Sequence, residues 1–173
     1  MRLLAWCLAC SFVACHARDD APAATPPDQA PREVNETALR ALSDGDQSLQ
    51  RRLAQAKVPV LAPADRTLID PVLIVREHFV ALSGRDQGAF VSIQATRRAN
   101  ARHVEVPPPT QPLRGLHGYV SVNEGVRVAS WRENGVAYQV DVECKDLGDP
   151  ICKDDRYLLQ LVEQLAYVGG AGR

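Results

Sequence analysis

The sequence lacks an apolar run that could cross a bilayer: the stretch Leu3–Ala14 is about 12 residues long, against the roughly 20 that a spanning helix needs. It also lacks an excess of either charge. Its 20 Lys and Arg against 21 Asp and Glu leave a formal net charge of −1, which gives no reason to expect nucleic acid as a partner. There is no Gly-x-Ser-x-Gly elbow, Ser-x-x-Lys, His-Glu-x-x-His or phosphate-binding glycine loop, so a hydrolase would have to use an unrecognised constellation. Asp146, Asp149, Asp154 and Asp155 lie close together but lack the alternating spacing of a calcium loop, and capping and solubility explain them. No metal and no cofactor is expected.

What is present begins at the amino terminus. Arg2 precedes the short apolar run, which ends in Phe12-Val13-Ala14-Cys15. This segment resembles a bacterial lipoprotein signal, with Phe12 where such signals usually carry Leu. The resemblance implies a signal peptide over 1–14, cleavage, and lipid attachment at Cys15. Cys10 is a poorer candidate because it shortens the apolar run. Residues 16–33 carry four prolines and no large apolar side chain, so 15–33 reads as an anchor and disordered tether of roughly 50 Å reach. A single globular domain of about 140 residues, 34–173, would follow.

The five cysteines divide on that reading. Cys7 and Cys10 leave with the signal, Cys15 takes the lipid, and Cys144 and Cys152 remain, eight positions apart. In an oxidising compartment an even pair reads as a disulfide, worth roughly 2.5 kcal/mol for so small a loop. The alternative is a metal pair completed by a histidine, but Cys-x7-Cys is not a recognised zinc spacing.

Helical periodicity runs from Val34 to Ala56, with Val34, Ala38 and Leu42 on one stripe and Leu49, Leu53 and Ala56 on another, broken at Ser43-Asp44-Gly45-Asp46. Two short helices or one interrupted helix are expected, followed by an extended passage at Val58–Pro63. Val72–Leu82 reads as one strand, apolar on both faces at its start and therefore central, with the turn at 83–88. Ala89–Thr96 alternates as a half-buried strand. After an Arg- and Pro-rich loop at 97–115, two consecutive hairpins turn at Asn123-Glu124-Gly125 and at Asn134-Gly135, a pair suited to a type I′ turn. That turn would place Trp131 opposite Tyr138 and Ala129 opposite Val140. Asp154–Val168 reads as one amphipathic helix, capped by Asp154 and stopped by Gly169-Gly170. The expected fold is α+β in two layers: a mainly antiparallel sheet of about five strands over 72–144, packed on one face by the terminal helix and the helices of 34–56.

Among the four histidines, His16 sits in the tether and His117 starts a strand beside Gly118. His78 follows Glu77, but neighbours in a strand point to opposite faces, so a structural or surface role is expected. Arg97, Arg98, Arg102 and His103 form a small basic cluster that could grip phosphate or carboxylate groups of envelope polymers. A solvated loop edge is its plainer account. Trp131 and Tyr138 are candidates for a ligand-stacking platform, or else a cross-strand pair packed under a helix.

Val58-Pro-Val-Leu-Ala-Pro63, the strand Gly135-Val-Ala-Tyr138 and the two late cysteines give residues 58–170 a resemblance to uncharacterised exported bacterial proteins. The resemblance implies a periplasmic domain, supports the fold and the disulfide, and adds no catalytic residue. The expectation is therefore a lipoprotein that holds a non-enzymatic binding or structural domain at the bacterial envelope, facing the periplasm. His16 after the anchor favours the outer membrane under the enterobacterial sorting rule. Its partners would be the membrane, through Cys15, and an envelope protein or polymer. A hydrolase of envelope polymers and an envelope signalling or regulatory partner are the alternatives.

Overall fold

The computed structural model describes residues 33–98, 108–146 and 148–170. Its first helix, α1 (Glu36–Ser43), starts where the Asn35 side chain accepts from the Ala38 N–H and ends at Asp44, whose backbone is left-handed. The second, α2 (Gln47–Gln55), is capped by Asp46, which accepts from the N–H groups of Ser48 and Leu49. The interruption at 44–46 is thus a C-cap followed at once by an N-cap. Ala38, Leu42, Leu49 and Leu53 are buried, as their spacing implies.

The strands are β1 (Val60–Pro63), β2 (Ile69–Val75), β3 (Phe79–Asp86), β4 (Ala89–Thr96), β5 (Gln111–Leu113), β6 (Leu116–Asn123), β7 (Val126–Glu133), β8 (Val136–Cys144) and β9 (Leu165–Gly169). Two further helices, α3 (Pro150–Lys153) and α4 (Arg156–Glu163), lie between β8 and β9. The class is α+β and the sheet pairings are all antiparallel. A seven-stranded sheet takes the order β2-β3-β4-β8-β7-β6-β5, and β1 pairs with β9 in a second, two-stranded sheet. Seven strands replace the expected five because β5 lies within the loop expected over 97–115 and because 72–82 is not one strand.

That second correction has a local cause. The polar triplet Arg76-Glu77-His78 breaks the apolar run, and the Arg76 N–H donates to the Phe79 carbonyl at 2.8 Å, closing a tight turn between β2 and β3. Val75 then faces Val80 and Ile74 faces Ala81. The strand expected to be central splits, and its first half, β2, becomes the sheet edge. Pro71, which has no N–H to donate, and a register shift between Ile69 and Val72 suit that edge. The turn expected at 83–88 shrinks to Gln87-Gly88. Four hairpins, at Gln87-Gly88, Arg114-Gly115, Glu124-Gly125 and Asn134-Gly135, share one signature: both loop residues have positive φ.

The terminal helix is the third correction. It ends at Glu163, where the Gln164 N–H donates to Gln160 and Leu161, and Leu165–Gly169 leaves as β9 to pair with β1. A short apolar run reads equally as helix or strand, and the unpaired edge of β1 decides it here. Gly169-Gly170 is accordingly no helix stop. Gly170 has φ +85°, and a Cβ there would lie 2.2 Å from the Val58 carbonyl oxygen. The cap expected of Asp154 is displaced by one residue, with Asp155 at the N-cap position and the Asp154 carboxylate accepting from the Arg156 N–H at 3.0 Å.

One face of the large sheet is covered by α4, lying over β5, β7 and β8, and by β1, lying over β3 and β4. The helices of 34–56 pack mainly on the β1–β9 pair rather than directly on the large sheet, with α2 also reaching β2. Leu158, Leu161 and Val162 of α4 join Val91, Ile93, Val140 and Val142 in one buried cluster. Three arginines fasten this layer. Arg127 donates to the carbonyls of Cys152 (2.7 Å) and Lys153 (2.9 Å) and pairs with Asp155. Arg66 meets Asp86 at 3.3 Å, while the Tyr157 hydroxyl donates to Asp86 at 2.6 Å. Arg114 reaches Glu133 and the end of α4. Cys144, at the end of β8, is disulfide-bonded to Cys152 in α3, with Cα atoms 6.1 Å apart.

Candidate functional site

Among the described residues nothing covers the other face of the seven-stranded sheet, and the register arranges its side chains in rows across the strands. The row at the Asn134-Gly135 end runs Phe79, Thr96, Ala137, Arg132, with His117 opposite Arg132 one step beyond the Gly118–Trp131 pair. The next row is Ala81, Gln94, Gln139, Ser130, Tyr119. Below it come Ser83, Ser92, Asp141, Val128, Ser121. These residues point outward because the alternate positions, Ala89, Val91, Ile93 and Ala95 on β4 and Val136, Tyr138, Val140 and Val142 on β8, are drawn into the core.

The first two rows, Ala81 apart, line a groove of about 550 Å³ together with Leu116. Its walls are mostly apolar. Asp141, just below it, accepts from the Gln94 amide at 2.9 Å and from the Gln139 amide at 2.8 Å. The Thr96 hydroxyl donates to the His78 carbonyl at 3.1 Å and accepts from the Arg98 N–H at 3.1 Å. Arg97 and Arg98 therefore leave β4 directly beside the first row.

A second cleft, of about 760 Å³, lies between the α1–α2 turn and β2. Two of its polar groups serve the fold: Asp46 caps α2, and the Arg52 guanidinium donates to the Leu73 carbonyl. Among the described residues no three His, Cys, Asp or Glu side chains gather as a metal site. The late acids hold structure instead. Asp149 accepts from the Ile151 N–H at 2.9 Å, Asp146 from Gly148 at 2.9 Å, and Asp155 pairs with Arg127.

The ionisable groups with shifted titration belong to the covered layer. Burial would raise the pKa of Glu133, but the Tyr167 hydroxyl, the charge of Arg114 and the Trp131 N–H outweigh it and hold this carboxyl below its ordinary range. Burial, then the hydrogen bond and charge of Asp86, push the Tyr157 phenol well above its ordinary value.

The residues singled out from sequence separate. Of the two readings open for Trp131 and Tyr138, the structure shows the packed one: both are 2% exposed, and their rings stack at 5.3 Å between centroids. They support the groove from beneath. Arg97 is half-buried and Arg98 exposed at the end of β4, while Arg102, His103 and Cys15 lie outside the described residues. His78 sits in a turn, not a strand, and its ring lies 3.8 Å from Glu77. The groove residues Phe79, Gln94, Gln139, Ser130 and Arg132 were not singled out, although the alternation of β4 and β8 marks their outward faces.

The chain matches no family model, no curated protein and no solved structure.

Proposed function

We propose that this chain is a lipid-anchored protein of the bacterial envelope, held through Cys15 and facing the periplasm, whose open sheet face is a non-catalytic binding site. One observation carries the binding part: among the described residues a broad sheet is covered on one face only, and its other face holds a largely apolar groove of a size that suits small ligands. The anchor rests on the resemblance of residues 1–15 to a lipoprotein signal.

Two measurements test the two parts. Nile red, a neutral dye that reports apolar surroundings, should bind the full chain saturably, and Ala137→Trp, which fills the middle of the first row, should abolish that binding without lowering the melting temperature. Unchanged dye binding by the variant overturns the groove reading. Labelling with a fatty-acid analogue should mark the wild type and not Cys15→Ala; equal labelling overturns the anchor.

A further inference from the structure

Resting on the reading of the groove as a binding site, we propose that its ligand is a small amphiphilic anion: an apolar body ending in a carboxylate or phosphate, with the anionic end at Arg132 and His117. The charges on the open face are graded along the strands. The end row carries Arg132 and His117, and Arg97 and Arg98 emerge beside it at Thr96, whereas Asp141 and then Glu143 stand on β8 toward the opposite end. Arg85 lies on the row of Glu143, two strands away across Phe90, so it balances that end and not the groove.

Arg132 differs from the arginines of the covered layer. Arg66, Arg114 and Arg127 are each held by several acceptors, but among the described residues no hydrogen-bond or ion-pair partner is found for Arg132, which is exposed on the groove wall. A guanidinium offers a planar fork of donors matched to a carboxylate or phosphate. The middle of the groove disfavours the same group, because the Asp141 carboxylate lies just behind it, bonded by the Gln94 and Gln139 amides. An anion is thereby directed to the Arg132 end, and the apolar body runs across β8 and β4 toward Phe79. That path spans three strand spacings, about 14 Å.

The test is calorimetric titration of the full chain with four probes sharing one tail: decanoate, decyl phosphate, decanol and decyltrimethylammonium, each below its aggregation threshold. Decanoate or decyl phosphate, or both, should bind at least tenfold more tightly than decanol, and the ammonium should not bind; the preferred anion identifies the end group. Arg132→Gln should weaken that anion at least tenfold, the loss expected of a charge-assisted hydrogen bond, and leave decanol unchanged. His117→Gln should weaken it less. Decanol binding as tightly as both anions, or an Arg132→Gln variant with unaltered anion affinity, overturns the proposal while saturable Nile red binding keeps the groove reading. Failure of Nile red and all four probes removes both.

Discussion

The Arg114 guanidinium lies 3.2 Å from the Glu133 carboxylate, with both side chains largely withdrawn from water. The pair joins the β5–β6 turn to the end of β7, and Arg114 also donates to the carbonyls of Val162 (3.2 Å), in the last turn of α4, and of Leu165 (2.6 Å), at the start of β9. A cation beside the last turn of the helix also suits the negative end of its dipole. Arg114→Ala should therefore lower stability by about 2–3 kcal/mol, since it leaves a partly buried carboxylate with the neutral donors Tyr167 and Trp131 alone and removes the donor to the last turn of α4. Chemical denaturation reads this directly; a loss below about 0.5 kcal/mol would contradict it.

Glu133 also gives a pH prediction. Its folded pKa lies below the ordinary 4.5, so its contribution to stability is present above that value and lost as pH falls through the folded pKa. The stability gap between wild type and Glu133→Gln should be largest near neutral pH and narrow progressively below about pH 4.5. A gap that widens in acid would reverse the sign of the assignment.

The Cys144–Cys152 bridge closes a short loop between β8 and α3. Cys144→Ser should cost about 2–3 kcal/mol under oxidising conditions. Reductant should bring the wild type to the variant's melting temperature and leave the variant unchanged. Indifference of the wild type to reductant would sink this account.

Gly170 tests the placement of β9. Its positive φ and its approach to the Val58 carbonyl leave no room for a methyl group, so Gly170→Ala should cost more than about 2 kcal/mol. A helix continuing to Val168 would place Gly170 just beyond its end, where alanine would cost little. Thermal melts of this variant distinguish the two arrangements.

Much of the fold was legible locally. The buried stripes of α1 and α2 and the break between them, the alternation of β4 and β8, and the Trp131–Tyr138 register all follow from spacing and one Asn-Gly turn. Three further hairpins carry the same backbone signature with Gln, Arg or Glu before glycine, and only the one at Glu124-Gly125 was expected at its loop residues. What local pattern could not supply was long-range pairing. Leu165–Gly169 becomes a strand because β1, about a hundred residues earlier, offers it an edge, and β2 becomes an edge because the chain turns at Arg76–His78. The groove was hidden for the same reason: Phe79, Gln94, Gln139, Ser130 and Arg132 come from four strands, and only the assembled register sets them in adjacent rows.

The central claim is that the uncovered sheet face is the binding surface, and nuclear magnetic resonance of the full chain during a decanoate titration tests it most directly. The account predicts shift changes at the side-chain amides of Gln94 and Gln139 and at the backbone of Ser130 and Arg132, with α4 unaffected. Changes gathered instead in the cleft between the α1–α2 turn and β2, or over α4, would contradict it.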